Sequence, residues 1–370
     1  MKILFTTHHL IKYSGTETYS LTLVKLLSQK KHQITIYSKY QSSDFKKYFK
    51  RNNITIVDNL DLIKNKKFDI IHAQHNINVI EVRHYFPNTP IVIVVHGIEP
   101  FLEQPTFHQL NISHYCAISD EIKKHLIKLG ISPTKVSIVR NLFDNTAFFC
   151  KKPLNSKIKK VLVFSNYDHT KKDQLIQESC KKLNIELNFL GGKYGTKKYS
   201  QLNEVLNEYD IVFTVGRGVI ETILAGRIPF VINENYTDGL VTPENFLKIS
   251  KNNFSGRKLK IKTSQKYIIN ELKRYKTSNI TNLQKITDTL FSSDKNLALL
   301  EKIYKKSIKN FRIGKFDKNI NEYFYQIINT TRNYDKLSNE QIIEKYNTIT
   351  SSKFYKLWPL YCKIKKIIFE

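Results

Sequence analysis

The sequence predicts an α/β fold: two doubly wound, Rossmann-like domains facing each other across a cleft, followed by a helical C-terminal extension. Three observations carry this prediction. They are a length of 370 residues, a strand and helix rhythm that runs, halts and restarts, and a change of composition near residue 258. Domains of this kind hold roughly 100–150 residues each, so the length suits two of them and an appendage. With 41% hydrophobic and 12% aromatic residues the chain can bury ordinary cores. That excludes a mainly disordered or collagen-like protein.

The first domain is expected over residues 1–150. KILFTT reads as a strand and residues 16–29 as a helix, and ITIYS, ITIVD, FDIIHAQ, PIVIVVHG and HYCAIS read as further strands. A helix over 120–129, capped by Ser119 and closed by Gly130, leads to the strand KVSIVRN. Parallel strands need long crossovers, so this alternation argues for a parallel sheet covered by helices on both faces. A polar joint, KKPLNSKIKK at 151–160, separates it from a second domain expected over 151–257. There KVLVFS, IELNFLGG, DIVFTVG and IPFVIN alternate with helices near 172–183, 202–207 and 219–225. From 258 to 370 glycine almost vanishes and lysine-rich amphipathic segments take over, read as a helical extension, part of it packing back on the first domain. Ligands of doubly wound domains bind at the carboxyl ends of the strands, so two such edges facing one another form a nucleotide-sized cleft.

Lysine and arginine total 60 against 32 acidic residues, a net charge of +28. Residues 251–370 hold 26 basic and 10 acidic side chains, so the charge concentrates in the extension. Such a balance attracts phosphates, nucleic acid or an anionic membrane surface. Only nine of the basic residues are arginine, the residue that reads bases bidentately, and no zinc finger, RNP motif or Gly-x-x-Gly loop is present. Nucleic acid is therefore not expected as a partner. Cys116, Cys150, Cys180 and Cys362 form no C-x-x-C pair, which supports neither a disulfide framework nor a zinc knuckle and suits a reducing compartment. The amino terminus lacks the apolar run of a secretory signal, and no stretch reaches the length of a spanning helix. A cytoplasmic protein is expected, either free or peripheral on the inner face of the membrane. Its last residues, SSKFYKLWPLYCKIKKIIFE, mix Phe354, Tyr355, Trp358 and Tyr361 with five lysines. That composition suits either an anionic bilayer surface or an amphipathic helix laid on the first domain.

Several residues stand where chemistry is done. In SGTETYSLTLVKLL, Gly15 follows the first strand and Glu17 opens a helix, where free N–H groups and a missing side chain favour a bound anion. His96 ends the strongly apolar strand VIVVHG and belongs at the carboxyl edge of the sheet, which also offers His72 and His75 in IIHAQHN. No H-E-x-x-H or comparable spacing accompanies these histidines, so no metal site is expected.

With SGTE, HG, ISDEIKKHL and NLFD in this order, the chain resembles the GT-B glycosyltransferases of family 4. The second half adds TVGRGVIETILAGRIPFVIN, similar to that family's donor-binding segment, and DGLVTPENFLKISKNNFSGR, similar to a stretch that closes on the nucleotide sugar. The likeness spans residues 1–257. It implies a retaining transferase that moves a sugar from a nucleotide-diphosphate sugar, UDP favoured and GDP second, to a glycan or lipid-linked acceptor. Bacterial surface polysaccharide synthesis is the implied setting, with no cofactor and no metal. Glu221 would hold the ribose, the Gly216 and Gly218 turn would meet phosphate, and the amides of Gly239, Leu240 and Val241 would reach the donor. Gly15 would admit the diphosphate or the acceptor, and His96 would touch the transferred sugar. Glu17, Ser119 and Asn141 would belong to the acceptor side.

Two departures from the family pattern are visible. Asn166 stands where an arginine is expected, leaving Lys171 at the family spacing, Lys172 as its register neighbour, and Arg217 as a second cation for the departing diphosphate. Phe213 replaces the first carboxylate of Glu-x7-Glu. These losses leave open an alternative, a non-catalytic scaffold that binds sugar or nucleotide in the same fold.

Overall fold

The computed structural model describes residues 1–105, 110–165, 170–191, 201–313 and 318–332. In the first domain, β1 (Lys2–Thr6), β2 (His9–Leu10), α1 (Gly15–Gln29), β3 (Gln33–Tyr37), β4 (Tyr40–Gln41), α2 (Ser43–Arg51) and β5 (Thr55–Val57) come first. They are followed by β6 (Ile70–Gln74), α3 (Asn76–Tyr85), β7 (Ile91–Val95), β8 (His114–Ala117), α4 (Asp120–Lys128) and β9 (Val136–Ile138). Seven of these strands form one sheet in the order β5-β3-β1-β6-β7-β8-β9, parallel at every pairing. Every residue of β6 and β7 is buried, as expected for central parallel strands covered on both faces.

The second domain holds β10 (Lys160–Phe164), α5 (Thr170–Lys182), β11 (Glu186–Leu190), α6 (Leu202–Leu206), β12 (Ile211–Thr214), α7 (Arg217–Leu224) and β13 (Ile228–Ile232). It continues through β14 (Tyr236–Leu240), α8 (Pro243–Ser250), β15 (Ile261–Lys262), α9 (Gln265–Leu272) and α10 (Asn279–Leu290). Its sheet runs β11-β10-β12-β13-β14-β15, with β14 and β15 antiparallel to their neighbours. Helices α11 (Ser293–Asn310) and α12 (Lys318–Arg332) complete the described chain.

The expected boundary at 257 therefore falls inside a folded unit. Strand β15 extends the second sheet, and Ile268 and Leu272 of α9 belong to its core. Leu283 of α10 packs with Val219, Ile223 and Phe246. By contrast, Leu297, Leu300, Ile303 and Tyr304 of α11 and Ile328 of α12 lie in the core of the first domain. Apolar faces decide the partition. Among the described residues, the lysines of α9 to α12 are exposed, on the outer faces of helices serving two different cores. Residues 354–362, with their aromatics and Cys362, lie outside the described residues.

Candidate active site

The order of each sheet reverses at one place, between β1 and β6 in the first domain and between β10 and β12 in the second. Strand-end loops diverge there and leave a crevice. The two crevices face each other across a cleft of about 1020 Å³. Gly15, Glu17, His96 and Asn141 line it from the first domain, and Lys172, Gly216, Arg217, Gly218 and Glu221 from the second. The sequence thus places nine of its candidates on one surface.

Each is delivered by a local device. Ser14 stands ahead of α1, whose first residue Gly15 carries open space where a Cβ would be. Ser14 donates its hydroxyl to the carboxylate of Glu17, and His9 Nε2 lies 3.4 Å from the same group. At the second crevice the chain turns at Gly216, φ 59°, a left-handed value that glycine adopts without strain. Gly218 follows in the first turn of α7, where a Cβ would collide with the Thr214 hydroxyl. The helix then presents Glu221, 3% exposed.

His96 is neutral in this setting. Burial, with the fields of His72 and Arg217, holds its pKa down to about 3. Its ring meets Tyr19 edge-on at 4.6 Å between centroids, and its buried Nε2 has no hydrogen-bond partner among the described residues. An imidazole of this kind can donate to or accept from a sugar hydroxyl but brings no charge.

Seven candidates stand differently in the structure from what the sequence suggests. Lys171 is exposed and lies off the cleft, whereas Lys172 is 3% exposed and lines it. Successive helical residues point about 100° apart, so the register neighbour faces inward instead. Burial pulls the Lys172 ammonium below the ordinary lysine range, opposed by the carboxylates of Asp173, 3.6 Å away, and Glu234.

Arg217 lines the cleft but is engaged elsewhere. It donates from Nε to Glu221 at 2.7 Å, from Nη1 to the Leu142 carbonyl at 2.6 Å and from Nη2 to the Thr22 hydroxyl at 3.0 Å. Its guanidinium also lies 4.4 Å from the Phe143 ring centroid. It ties α7 to the first domain and pairs with Glu221, rather than standing ready for a diphosphate.

Gly239, Leu240 and Val241 are not an open loop. Gly239 and Leu240 close strand β14, paired with Val231 and Phe230. Their amides donate to Thr237 Oγ1 and Glu271 Oε2, and that of Val241 to the Pro229 carbonyl. Gly239 is glycine for a packing reason: φ is 78°, and a Cβ would come within 2.6 Å of Glu271 Oε2.

Ser119 caps α4 by accepting from the Ile122 amide at 3.3 Å, and it does not line the cleft. Asn166 lies outside the described residues. His72 is interior rather than at the sheet edge, stacked on Phe5 and bonded through Nδ1 to Tyr304 of α11. His75, by contrast, sits at the edge beside the cleft loops. Among the described residues no group of His, Cys, Asp or Glu has the geometry of a metal site.

Sequence reasoning missed Glu103, which is 7% exposed, lines the cleft and accepts from the His96 amide at 2.7 Å. It also missed Arg257, which bridges the domains by pairing with Glu99 at 3.1 Å and Glu121 at 3.2 Å. Neither lies in a periodic segment. The only available signal was their nearness in sequence to the HG and SGR turns.

Two facing Rossmann-like domains with their switch points on a shared cleft define the GT-B architecture. Residues 13–146 match the model of Glycosyltransferase Family 4, a likeness that covers the first domain. The crystal structure of HepE from Anabaena, in complex with UDP and glucose, superposes with a TM-score of 0.60 at 14% identity, covering 83% of this chain and 100% of that one. A glycosyltransferase from Rickettsia africae superposes with a TM-score of 0.57 at 15% identity, covering 84% and 99%. No curated protein sequence matches the chain.

Proposed function

We propose that the protein transfers a hexose, with retention of anomeric configuration, from a UDP-sugar to a hydroxyl of a glycan or lipid-linked acceptor in bacterial surface polysaccharide synthesis. The observation that carries the reading is the juxtaposition of a buried amine, Lys172, a buried carboxylate, Glu221, and a neutral histidine, His96, on one cleft. In this reading Glu221 accepts ribose hydroxyls, Lys172 meets the diphosphate as negative charge grows on it, and His96 contacts the sugar from the opposite wall. The departing phosphate takes the acceptor proton on the same face of the sugar, so no protein nucleophile is required. The demand on the protein is stabilisation of the leaving group, which one well-placed charged donor supplies at about 2.7–4 kcal/mol. No metal or cofactor enters this reading. That HepE was solved with UDP and glucose supports a uridine donor in the same fold.

A thermal-shift screen of the full chain against UDP, GDP, ADP, CMP and their sugars, each with Mg²⁺ and with EDTA, tests this. Saturating ligand at 100 times Kd adds about 2.7 kcal/mol to apparent stability. A rise with uridine nucleotides in both buffers is expected. No rise with any nucleotide would leave the non-catalytic scaffold as the better reading, and a rise only with Mg²⁺ would remove the metal-free one. Proton NMR of the product then reports the anomeric outcome.

No helix among the described residues is long and apolar enough to cross a membrane. We propose that the basic segment 351–370 brings the enzyme to an anionic membrane face, where each nearby lysine contributes about 1 kcal/mol. Sedimentation with phosphatidylglycerol vesicles should be lost on deleting those 20 residues. Undiminished sedimentation would rule the segment out as the docking element.

A further inference from the structure

The geometry points to Glu103 as a positioning residue that, together with His75, fixes the His96 loop against the transferred sugar. This rests on the reading of His96 given above. Three loops leave the carboxyl ends of the adjacent strands β1, β6 and β7, and one continuous chain of polar contacts joins them. The His8 amide donates to His75 Nδ1 at 3.1 Å. His75 Nε2 stands 3.6 Å from Glu103 Oε1. Glu103 Oε2 accepts from the His96 amide at 2.7 Å, and the Gly97 amide also donates to this carboxylate.

The direction of each contact follows from the chemistry. Since Nδ1 of His75 accepts from a backbone amide, its single proton sits on Nε2, facing Glu103. Burial and the neighbouring rings of His96, His9 and His8 keep His75 neutral, with its pKa about 3, so it does not exchange this role for a second donor.

Glu103 is built to hold a loop rather than to meet solvent. Burial raises its pKa to about 7 against the pull of the two amides. Its own segment is pinned by the bond from its amide to the Pro100 carbonyl at 3.0 Å and from Asn76 Nδ2 to the Phe101 carbonyl at 2.8 Å. Gly97 allows the close approach, since a Cβ there would lie 3.2 Å from Pro100 Cδ.

The backbone also carries a mark of this constraint. His75 has φ 66° and ψ 136° at the start of α3, a conformation that costs a residue with a side chain about 1–3 kcal/mol and persists only where its surroundings enforce it. Its ring is flanked by the His8 amide at Nδ1 and the Glu103 carboxylate at Nε2. The result is that His96, which lines the cleft, leaves a frame that holds its backbone amide in place. Displacement of a substrate-positioning group by about 1 Å costs on the order of 10²-fold in rate.

The test uses the full chain and the donor found by the nucleotide screen. Glu103→Leu should lower kcat by about 10²-fold with the donor KM unchanged, because nucleotide contacts lie on the second domain. Glu103→Gln, whose amide oxygen still accepts from His96 but whose amide nitrogen meets the His75 Nε2–H as a second donor, should recover part of kcat. Hydrogen exchange, read without substrate, should show the amides of His96 and Gly97 exposed in Glu103→Leu and protected in Glu103→Gln.

Should Glu103→Leu fail to fold, His75→Phe keeps the ring volume, removes both nitrogens and should give the same loss of kcat. A wild-type kcat in either apolar variant, an equal loss in Glu103→Gln and Glu103→Leu, or unchanged exchange would overturn the proposal. If the exchange pattern follows the prediction while no nucleotide sugar turns over, the latch stands and the reading of the cleft falls.

Discussion

Replacing Lys172 by methionine is expected to lower turnover by about 10²–10³-fold, the usual cost of removing one donor from developing negative charge. Folding should survive at a modest cost, because a thioether of similar length relieves the desolvation of the ammonium while Asp173, 3.6 Å away, loses a partner. Lys171→Met, one residue away on the exposed face of α5, should leave turnover near wild type and serves as the control. The dependence on pH has a definite sign. Only the ammonium attracts a diphosphate, and burial sets the Lys172 pKa below that of an ordinary lysine. Donor affinity should therefore be full at neutral pH and decline on the alkaline side before solvent-exposed lysines titrate. Lys172→Met should lack that alkaline limb. Steady-state kinetics across pH decides the matter, and equal losses in the two variants would remove Lys172 from the site.

The second large effect concerns the pair Arg217 and Glu221, whose side chains are 6% and 4% exposed and 2.7 Å apart. Glu221→Ala leaves the guanidinium buried without its carboxylate, and breaking such a pair costs about 3–5 kcal/mol. The Leu142 carbonyl and Thr22 hydroxyl keep Arg217 in place, so the loss should appear as instability rather than as a collapsed side chain. Glu221→Ala combined with Arg217→Met should be more stable than Glu221→Ala alone, since the unpaired charge is gone. UDP affinity, however, should stay low in every variant without the carboxylate. Urea unfolding and calorimetric titration with UDP separate the two roles. Restored UDP affinity in the double variant would show that Glu221 acts on Arg217 alone and not on the ribose.

The pair also explains why α7 does double duty. Arg217 is the residue through which the second domain grips α1 and the chain after β9, and Glu221 is its partner. A nucleotide that recruits Glu221 therefore acts on the same helix that joins the domains.

Much of this architecture was legible in the residues. VIVVHG is apolar until a histidine and a glycine, so both the burial of β7 and the location of His96 follow from its pattern. The G-R-G turn before ETILAG put Gly216, Gly218 and Glu221 at a helix start on the cleft, because a left-handed turn and a helix start leave local marks in sequence. The order of these motifs was enough to expect two facing domains. Helices α2 and α3 were not foreseen. SDFKKYFKR buries only Phe45 and Phe49 among charged neighbours, too few apolar residues to declare a period. Strand β14 carries no clear strand pattern, because DGL holds a glycine and an aspartate. At the left-handed Gly239 the strand's amides turn to side chains, that of Gly239 to Thr237 and that of Leu240 to Glu271.

What the sequence by itself determined is local: strand and helix periods, turns that require glycine, caps, and the excess of lysine. Those depend on neighbours a few residues away, and they suffice to name the fold. Tertiary structure alone decided which of two adjacent lysines enters the cleft, whether an arginine in a glycine turn faces a ligand or a carboxylate, and which core each helix of the extension joins. It also brought Glu103 to the His96 amide, seven residues away along an irregular loop. The physical reason is that burial and charge pairing are summed over elements distant in the chain. A side chain's protonation and partners are set by whatever the packing of two domains places within about 4 Å of it, and no period in the sequence encodes that distance.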